Sequence, residues 1–136
     1  MSYGVSAALQ TAVFQALSGD VTLNGLVGNA IYDAAPTGTV PALYVSLGPE
    51  DVIDASDKTG QGARHEFVVS VVSDTAGFLT AKSVGAAISD VLVDADLTLS
   101  RGTLIGLYFV SAKARRVQDS DVRRIDIRFM ARVEDI

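Results

Sequence analysis

Apolar residues recur at helical spacing in some segments of this chain and at the two-residue spacing of a strand in others. Helical spacing runs from Val5 to Leu17 and stops at Gly19. A short helical turn, "DVTLNGLVG", can begin on the capping side chain of Asp20. Ser73 or Asp74 is then placed to cap a second main helix, whose apolar stripe consists of Ala81, Val84, Ile88, Val91 and Leu92. The pattern therefore predicts two main helices.

The remaining apolar residues alternate with period two, which predicts strands. "AIYDAAP" is typical of a short edge strand, while "PALYVSLG" and "HEFVVSVVSD" are half-buried strands that can pair as an antiparallel hairpin. "TLIGLYFVSAKARRV" is apolar on both faces in its first half, and "VRRIDIRFMARVED" alternates strictly. The order of elements predicts an α+β fold: a mostly antiparallel sheet with two main helices packed on one face. With 136 residues, the chain is expected to form a single domain, 1–136.

A glycine-rich loop, residues 54–65, separates the two predicted hairpin strands, although a two-residue turn could join them. An ordered loop of that length needs a reason, and docking on a partner would supply one. Glycines would let the loop move, and its charged side chains could pair with a partner. The candidate docking residues are Asp54, Asp57, Lys58, Gly60, Gly62, Arg64 and His65. We expect His65 to be a surface histidine at the base of the loop.

The sheet face opposite the helices mixes apolar and charged residues. A solvated face of an antiparallel sheet should be plainly polar, whereas this mixture is closer to the composition of an interface. Its candidate interface residues are Tyr44, Val68, Tyr108, Arg124, Arg128 and Arg132. The competing interpretation is that alternating charges merely solvate an edge strand. Together with the loop, the mixture favours a subunit interface.

Charge is distributed unevenly along the chain, whose net charge is −5. Residues 1–100 carry eleven acidic and three basic side chains (−8), and residues 101–136 carry five acidic and eight basic ones (+3). This asymmetry suits association between unlike surfaces, unless the two halves mix in the folded protein. A net acidic chain also argues against sequence-independent binding of nucleic acid.

Few chemistries are compatible with this composition. The chain has no cysteine and one histidine, which excludes disulfides, cysteine nucleophiles and metal sites that need two imidazoles. It lacks a Walker loop and a dinucleotide-binding fingerprint. We therefore predict no enzyme activity, no cofactor, and no catalytic or metal-binding residues. Without a basic leader or a long apolar run, the chain is expected to stay in the cytoplasm, off the membrane.

Several segments, in order, carry a family resemblance: "SAALQTAVFQALSGD", "GNAIYDAAP…PALYVSLG", "DASDKTGQGARHEFVVSVVSD…AAISDVL" and "RRIDIRFMARV". The chain resembles the tail terminator (tail completion) family of long-tailed phages, and especially the version encoded by phage-like gene transfer agents. The resemblance covers essentially the whole chain. It implies a structural protein that forms a ring, generally a hexamer, which ends polymerisation of the tail tube.

The same resemblance implies partners and a place of assembly. The ring would contact the tail tube protein and the head–tail connector or neck protein, and DNA would pass through it without specific binding. Assembly in the bacterial cytoplasm and a place in the particle tail follow from it. Two alternatives stay open: another ring-forming neck or tube protein, and a small-ligand-binding or enzymatic α+β domain.

Overall fold

Three helices and five strands make up this protein in a computed structural model that describes residues 3–34, 37–56, 60–75, 77–118 and 120–135. In chain order they are α1 (Ser6–Ser18), α2 (Val21–Val27), β1 (Ile31–Tyr32), β2 (Leu43–Asp54), β3 (Gly62–Ser73), α3 (Leu79–Leu92), β4 (Thr103–Arg116) and β5 (Arg123–Glu134). The predicted α+β fold is confirmed.

The strands form one sheet in the order β1-β2-β3-β5-β4. Only the two-residue β1 runs parallel to its neighbour; the pairs β2–β3, β3–β5 and β4–β5 are antiparallel. The predicted short edge strand and the predicted β2–β3 hairpin are both present. β1 and β4 form the two opposite edges of the sheet.

The hydrophobic core lies between the helices and one face of the sheet. Leu9, Val13 and Leu17 of α1 are buried there, as are the apolar stripe of α3 except the partly buried Val91 and the alternate residues of β5 from Ile125 to Val133. Phe129 is the largest fully buried side chain; its ring stacks on Phe67 and meets Phe109 edge-on. The alternating apolar residues of β5 are therefore buried together, as the sequence predicted, because a period of two places alternate side chains on one face of the sheet.

The starts of α2 and α3 differ in how they are capped. The Asp20 carboxylate accepts a hydrogen bond from the Leu23 amide at 2.9 Å, as predicted for a cap. α3 begins at Leu79 after Phe78, which makes no side-chain capping bond, so the predicted cap at Ser73 or Asp74 is wrong. Ser73 instead ends β3, where its hydroxyl accepts from the Thr75 amide at 3.1 Å.

The β2–β3 hairpin is longer, and its loop shorter, than the sequence indicated. The two strands stay paired as far as Asp54 and Ala63, so the connection is residues 55–61 rather than 54–65. Polar residues beyond the core can extend the pairing of two strands, because the hydrogen bonds between strands are made by the backbone. An irregularity between Leu47 and Glu50 places Pro49 where the regular pairing is interrupted, which is where a sheet tolerates proline.

β4 carries two irregularities of its own. Leu104 and Gly106 pair with adjacent residues of β5, and so do Phe109 and Ser111, so Ile105 and Val110 are extra residues on the β4 side. Such bulges interrupt the regular backbone spacing of the strand. Both extra residues are among the exposed large hydrophobic side chains of the protein.

Candidate assembly surfaces

The sheet face turned away from the helices, called here the open face, brings the predicted interface residues together. Cross-strand partners share a face, and the register pairs Tyr44 with Val72, Val68 with Arg128 and Tyr108 with Met130. All six predicted interface residues lie on this face: Tyr44, Val68, Tyr108, Arg124, Arg128 and Arg132. Their role as an interface stays a prediction.

These six residues differ in how far they are available to a partner. Tyr44 and Val68 are only 9% and 6% exposed within the single chain, whereas Tyr108 is 44% exposed. Tyr44 packs on Val72 and meets the ring of Tyr32 edge-on, with 6.0 Å between ring centroids. The three arginines are half-buried. A partner on the open face would therefore meet Tyr108 and the arginines more directly than Tyr44 and Val68.

A polar network centred on Asp126 also lies on the open face. Ser70 donates to Asp126 Oδ1 at 2.7 Å, and Arg124 Nε donates to the same oxygen at 2.9 Å. Burial acts to raise the pKa of the Asp126 carboxyl, but these hydrogen bonds outweigh it and hold the pKa below its ordinary value. Arg124 is thereby fixed by its own subunit, which orients its guanidinium.

The residues of the predicted docking loop lie in different parts of the structure. Asp54 and Arg64 are exposed residues of the paired strands, and Gly60 lies in the connection. Gly62 is buried in β3, where a Cβ would lie 2.9 Å from the carbonyl oxygen of Ala55, so this glycine serves close packing. Asp57 and Lys58 lie outside the described residues. Docking by this hairpin tip stays a prediction.

His65 is not at the surface; this expectation was wrong. It is fully buried on the helix-side face of β3, and its Nδ1 lies 3.1 Å from Glu50 Oε2. The other oxygen of Glu50 accepts from the Ser6 hydroxyl at 2.6 Å and from the Tyr3 hydroxyl at 3.0 Å. Sequence reasoning missed this cluster because the extension of the pairing past the apolar residues, which brings Glu50 beside His65, was not foreseen.

The geometry of the cluster around Glu50 is that of a structural contact and not of an activated serine. Activation of a serine requires its hydroxyl to contact a base, as in a Ser–His pair. Here the Glu50 carboxylate stands between the Ser6 hydroxyl and the His65 imidazole, and each bonds to a different carboxylate oxygen. The cluster therefore ties the start of α1 to the β2–β3 hairpin.

β4 forms an exposed surface of which only Tyr108 was among the predicted interface residues. Every residue from Tyr108 to Arg116 is exposed, and Phe109 is 51% exposed although it touches the core. α3 contacts β3 and β5 more than β4, and α1 and α2 contact β1 and β2, away from this edge. The available signal was the run "LIGLYFV", apolar on both faces, which indicates a strand that needs cover on both sides.

Metal binding and membrane crossing find no support among the described residues. No group of three or more histidine, aspartate or glutamate side chains there is placed to hold a metal ion. Within the same residues, none of the helices combines the length and apolar character that crossing a bilayer requires.

The family described as "Tail completion protein gp17" matches residues 11–134. The chain belongs to this tail completion family. A solved structure described as "Virion of native gene transfer agent (GTA) particle" contains a chain that is 63% identical to this one and superposes with a TM-score of 0.92. The match covers 98% of this chain and 99% of that one. Among curated proteins, none matches. The predicted family resemblance is confirmed.

Proposed function

We propose that this protein is a structural component of a phage-like particle tail that forms a ring, a hexamer as the family resemblance implies. The ring caps the tail tube, ends its polymerisation and joins the tail to the head connector or neck protein. The observation that carries the proposal is the family match over residues 11–134, together with a chain in a gene transfer agent virion that is similar over nearly the whole of both chains.

The geometry supports an assembly role over a catalytic one. Exposed apolar side chains along β4 suit a surface covered by another protein. Arg124, which Asp126 holds in place, and the half-buried Arg128 and Arg132 on the same face suit contact with a charged partner. The connection between β2 and β3 is the proposed docking element for the tube or the connector.

The proposal also covers the passage of DNA and the place of assembly. DNA passes through the ring without specific binding, which the net charge of −5 favours because an acidic protein resists clinging to phosphates. Assembly takes place in the bacterial cytoplasm, before the particle is released.

The test adds the purified chain to growing tail tubes and measures tube length and tube ends by electron microscopy. We expect growth to stop and one ring of density to appear at the tube end. A chain that polymerises into open-ended tubes by itself would be a tube subunit instead. A chain that stays monomeric and leaves tubes unchanged would reject the proposal and favour a ligand-binding domain.

A further inference from the structure

A groove lies between α3 and β4 on the helix side of the sheet. It encloses about 300 Å³ and is lined mainly by small and apolar residues: Gly85, Ala86, Phe109, Ala112, Ala114 and Ile127. Small side chains on the α3 wall leave room for an incoming side chain. The groove floor is apolar, so an apolar group entering it would be removed from water favourably.

The rim of the groove is basic at one end. Lys82 lies on the α3 wall, and Arg116 and its cross-strand partner Arg123 follow the apolar part of β4 and β5 on the same face. Asp121 lies 3.5 Å from Arg116 and offsets part of this charge. The sign of the rim is therefore positive.

The opposite flank of the molecule has the complementary character. β1 lies at the other edge of the sheet, with α1 contacting β1, and α2 contacting β2 and the side of α3 that carries Ala87 and Val91, away from the groove. Val21 of α2 protrudes with 85% of its surface exposed. The carboxylates of Asp20, which precedes it, and of Asp90 on α3 line a cleft between these two helices. Residues 1–57 contain no lysine or arginine, so the part of this flank built from α1, α2 and β1 carries no positive side chain.

We infer that the α3–β4 groove receives the α2 flank of a second copy of this chain, with Val21 entering the groove. This rests on the proposed ring, for which it names the contact between neighbours. The two patches are unlike and lie on opposite flanks, so the contact is head-to-tail and each copy offers a free groove and a free α2. Such a contact closes into a ring when the rotation between copies permits it.

The absence of cysteine permits a direct test with two single-cysteine variants of the full chain. Ala86→Cys marks the groove, and Val21→Cys marks the opposite flank; both positions are exposed. The variants are mixed, with one isotopically labelled, and oxidised mildly, alone and in the presence of tail tubes. We expect a disulfide dimer containing one chain of each kind, and no such gain of dimer in either variant oxidised alone.

The outcomes separate the groove from the proposed function. Mixed dimers together with capped tubes support both, and mixed dimers without capping support the groove and reject termination. Capped tubes without mixed dimers overturn the groove and leave termination standing. Dimers that form equally well in Ala86→Cys alone would also overturn it, because they indicate a contact between identical patches.

Discussion

The Nδ1 atom of His65 lies 3.1 Å from Oε2 of Glu50, and the imidazole has no solvent-exposed surface. A carboxylate can only accept, so Nδ1 carries the proton in this bond. Nε2 is also buried and has no hydrogen-bond partner among the described residues. The Glu50 bond is therefore the only side-chain hydrogen bond that the described residues give the His65 ring.

Removing Glu50 should destabilise the fold. We expect Glu50→Ala to lower the free energy of unfolding by about 1–3 kcal/mol, because the buried His65 loses its partner. Urea denaturation measures this. Asp51→Ala is the matched control: Asp51 is the exposed next residue of β2 and should change stability by no more than about 0.5 kcal/mol. Equal losses in the two variants would contradict a structural role for the pair.

Asp126 should make stability fall at acid pH. Its folded pKa lies below its ordinary value, so the unfolded chain binds the proton first as pH falls. The stabilisation is then complete above the unfolded pKa of about 3.9 and is lost as pH falls through the folded pKa.

We therefore expect Asp126→Asn to be less stable than the unchanged protein at neutral pH, with a difference that shrinks as the pH is lowered through the acid range. Urea unfolding at a series of pH values measures it, with Asp96→Asn, at an exposed position, as the control. A difference that does not depend on pH would show that the charge of Asp126 is not what stabilises the network.

Two glycines should respond to alanine in opposite directions. Gly102 has φ +77°, and a Cβ there would lie 2.7 Å from the Glu134 carbonyl oxygen, so Gly102→Ala should destabilise by more than about 1 kcal/mol. Gly25 lies inside α2 with open space around it, so Gly25→Ala should stabilise by roughly 0.5–1 kcal/mol. Thermal unfolding compares them, and a stabilising Gly102→Ala would refute the argument.

The open face should matter for assembly more than for folding. We expect Arg128→Glu combined with Arg132→Glu to fold normally but to weaken ring closure or docking, because the charge presented to a partner is reversed. Circular dichroism checks the fold, and the tube-capping assay checks the function. Arg128→Lys with Arg132→Lys keeps the charge and is the control. Normal capping by the glutamate variant would show that these arginines have no such role.

The groove gives a prediction at a single position. Ala86→Glu fills the small-residue wall and sets a carboxylate against Asp20 and Asp90 of the neighbouring copy, so we expect ring formation to be lost. Ala86→Ser keeps the volume nearly unchanged and should retain it. Native mass spectrometry over a concentration series, with and without tail tubes, distinguishes the two. Rings formed equally by both variants would place the contact elsewhere.

The elements that could be predicted from the sequence are those whose apolar pattern is set by burial. Alternation in β5 and the stripe of α3 follow directly from the need to bury one face, and Asp20 was recognisable as a cap from its side chain and position. The length of the β2–β3 hairpin was not recognisable. Its outer pairs, such as Asp51 with Glu66, are held by backbone bonds that leave no apolar signature.

The same limit applied to the candidate surfaces. His65 could be read as exposed because polar residues surround it in sequence, yet its partner Glu50 is brought to it by pairing across the hairpin. The groove depends on where α3 stops covering the sheet, and that follows from packing between elements far apart in sequence. Exposure of β4 was signalled only by the two-sided apolar run "LIGLYFV".

The extra residues Ile105 and Val110 have a consequence for the free protein before assembly. A regular apolar edge strand invites stacking of further strands into fibrils. On β4 the spacing of backbone donors and acceptors changes twice, so a straight incoming strand could stay in step for only a few residues at a time. The two irregularities therefore oppose the stacking of one free chain on another through their uncovered β4 edges.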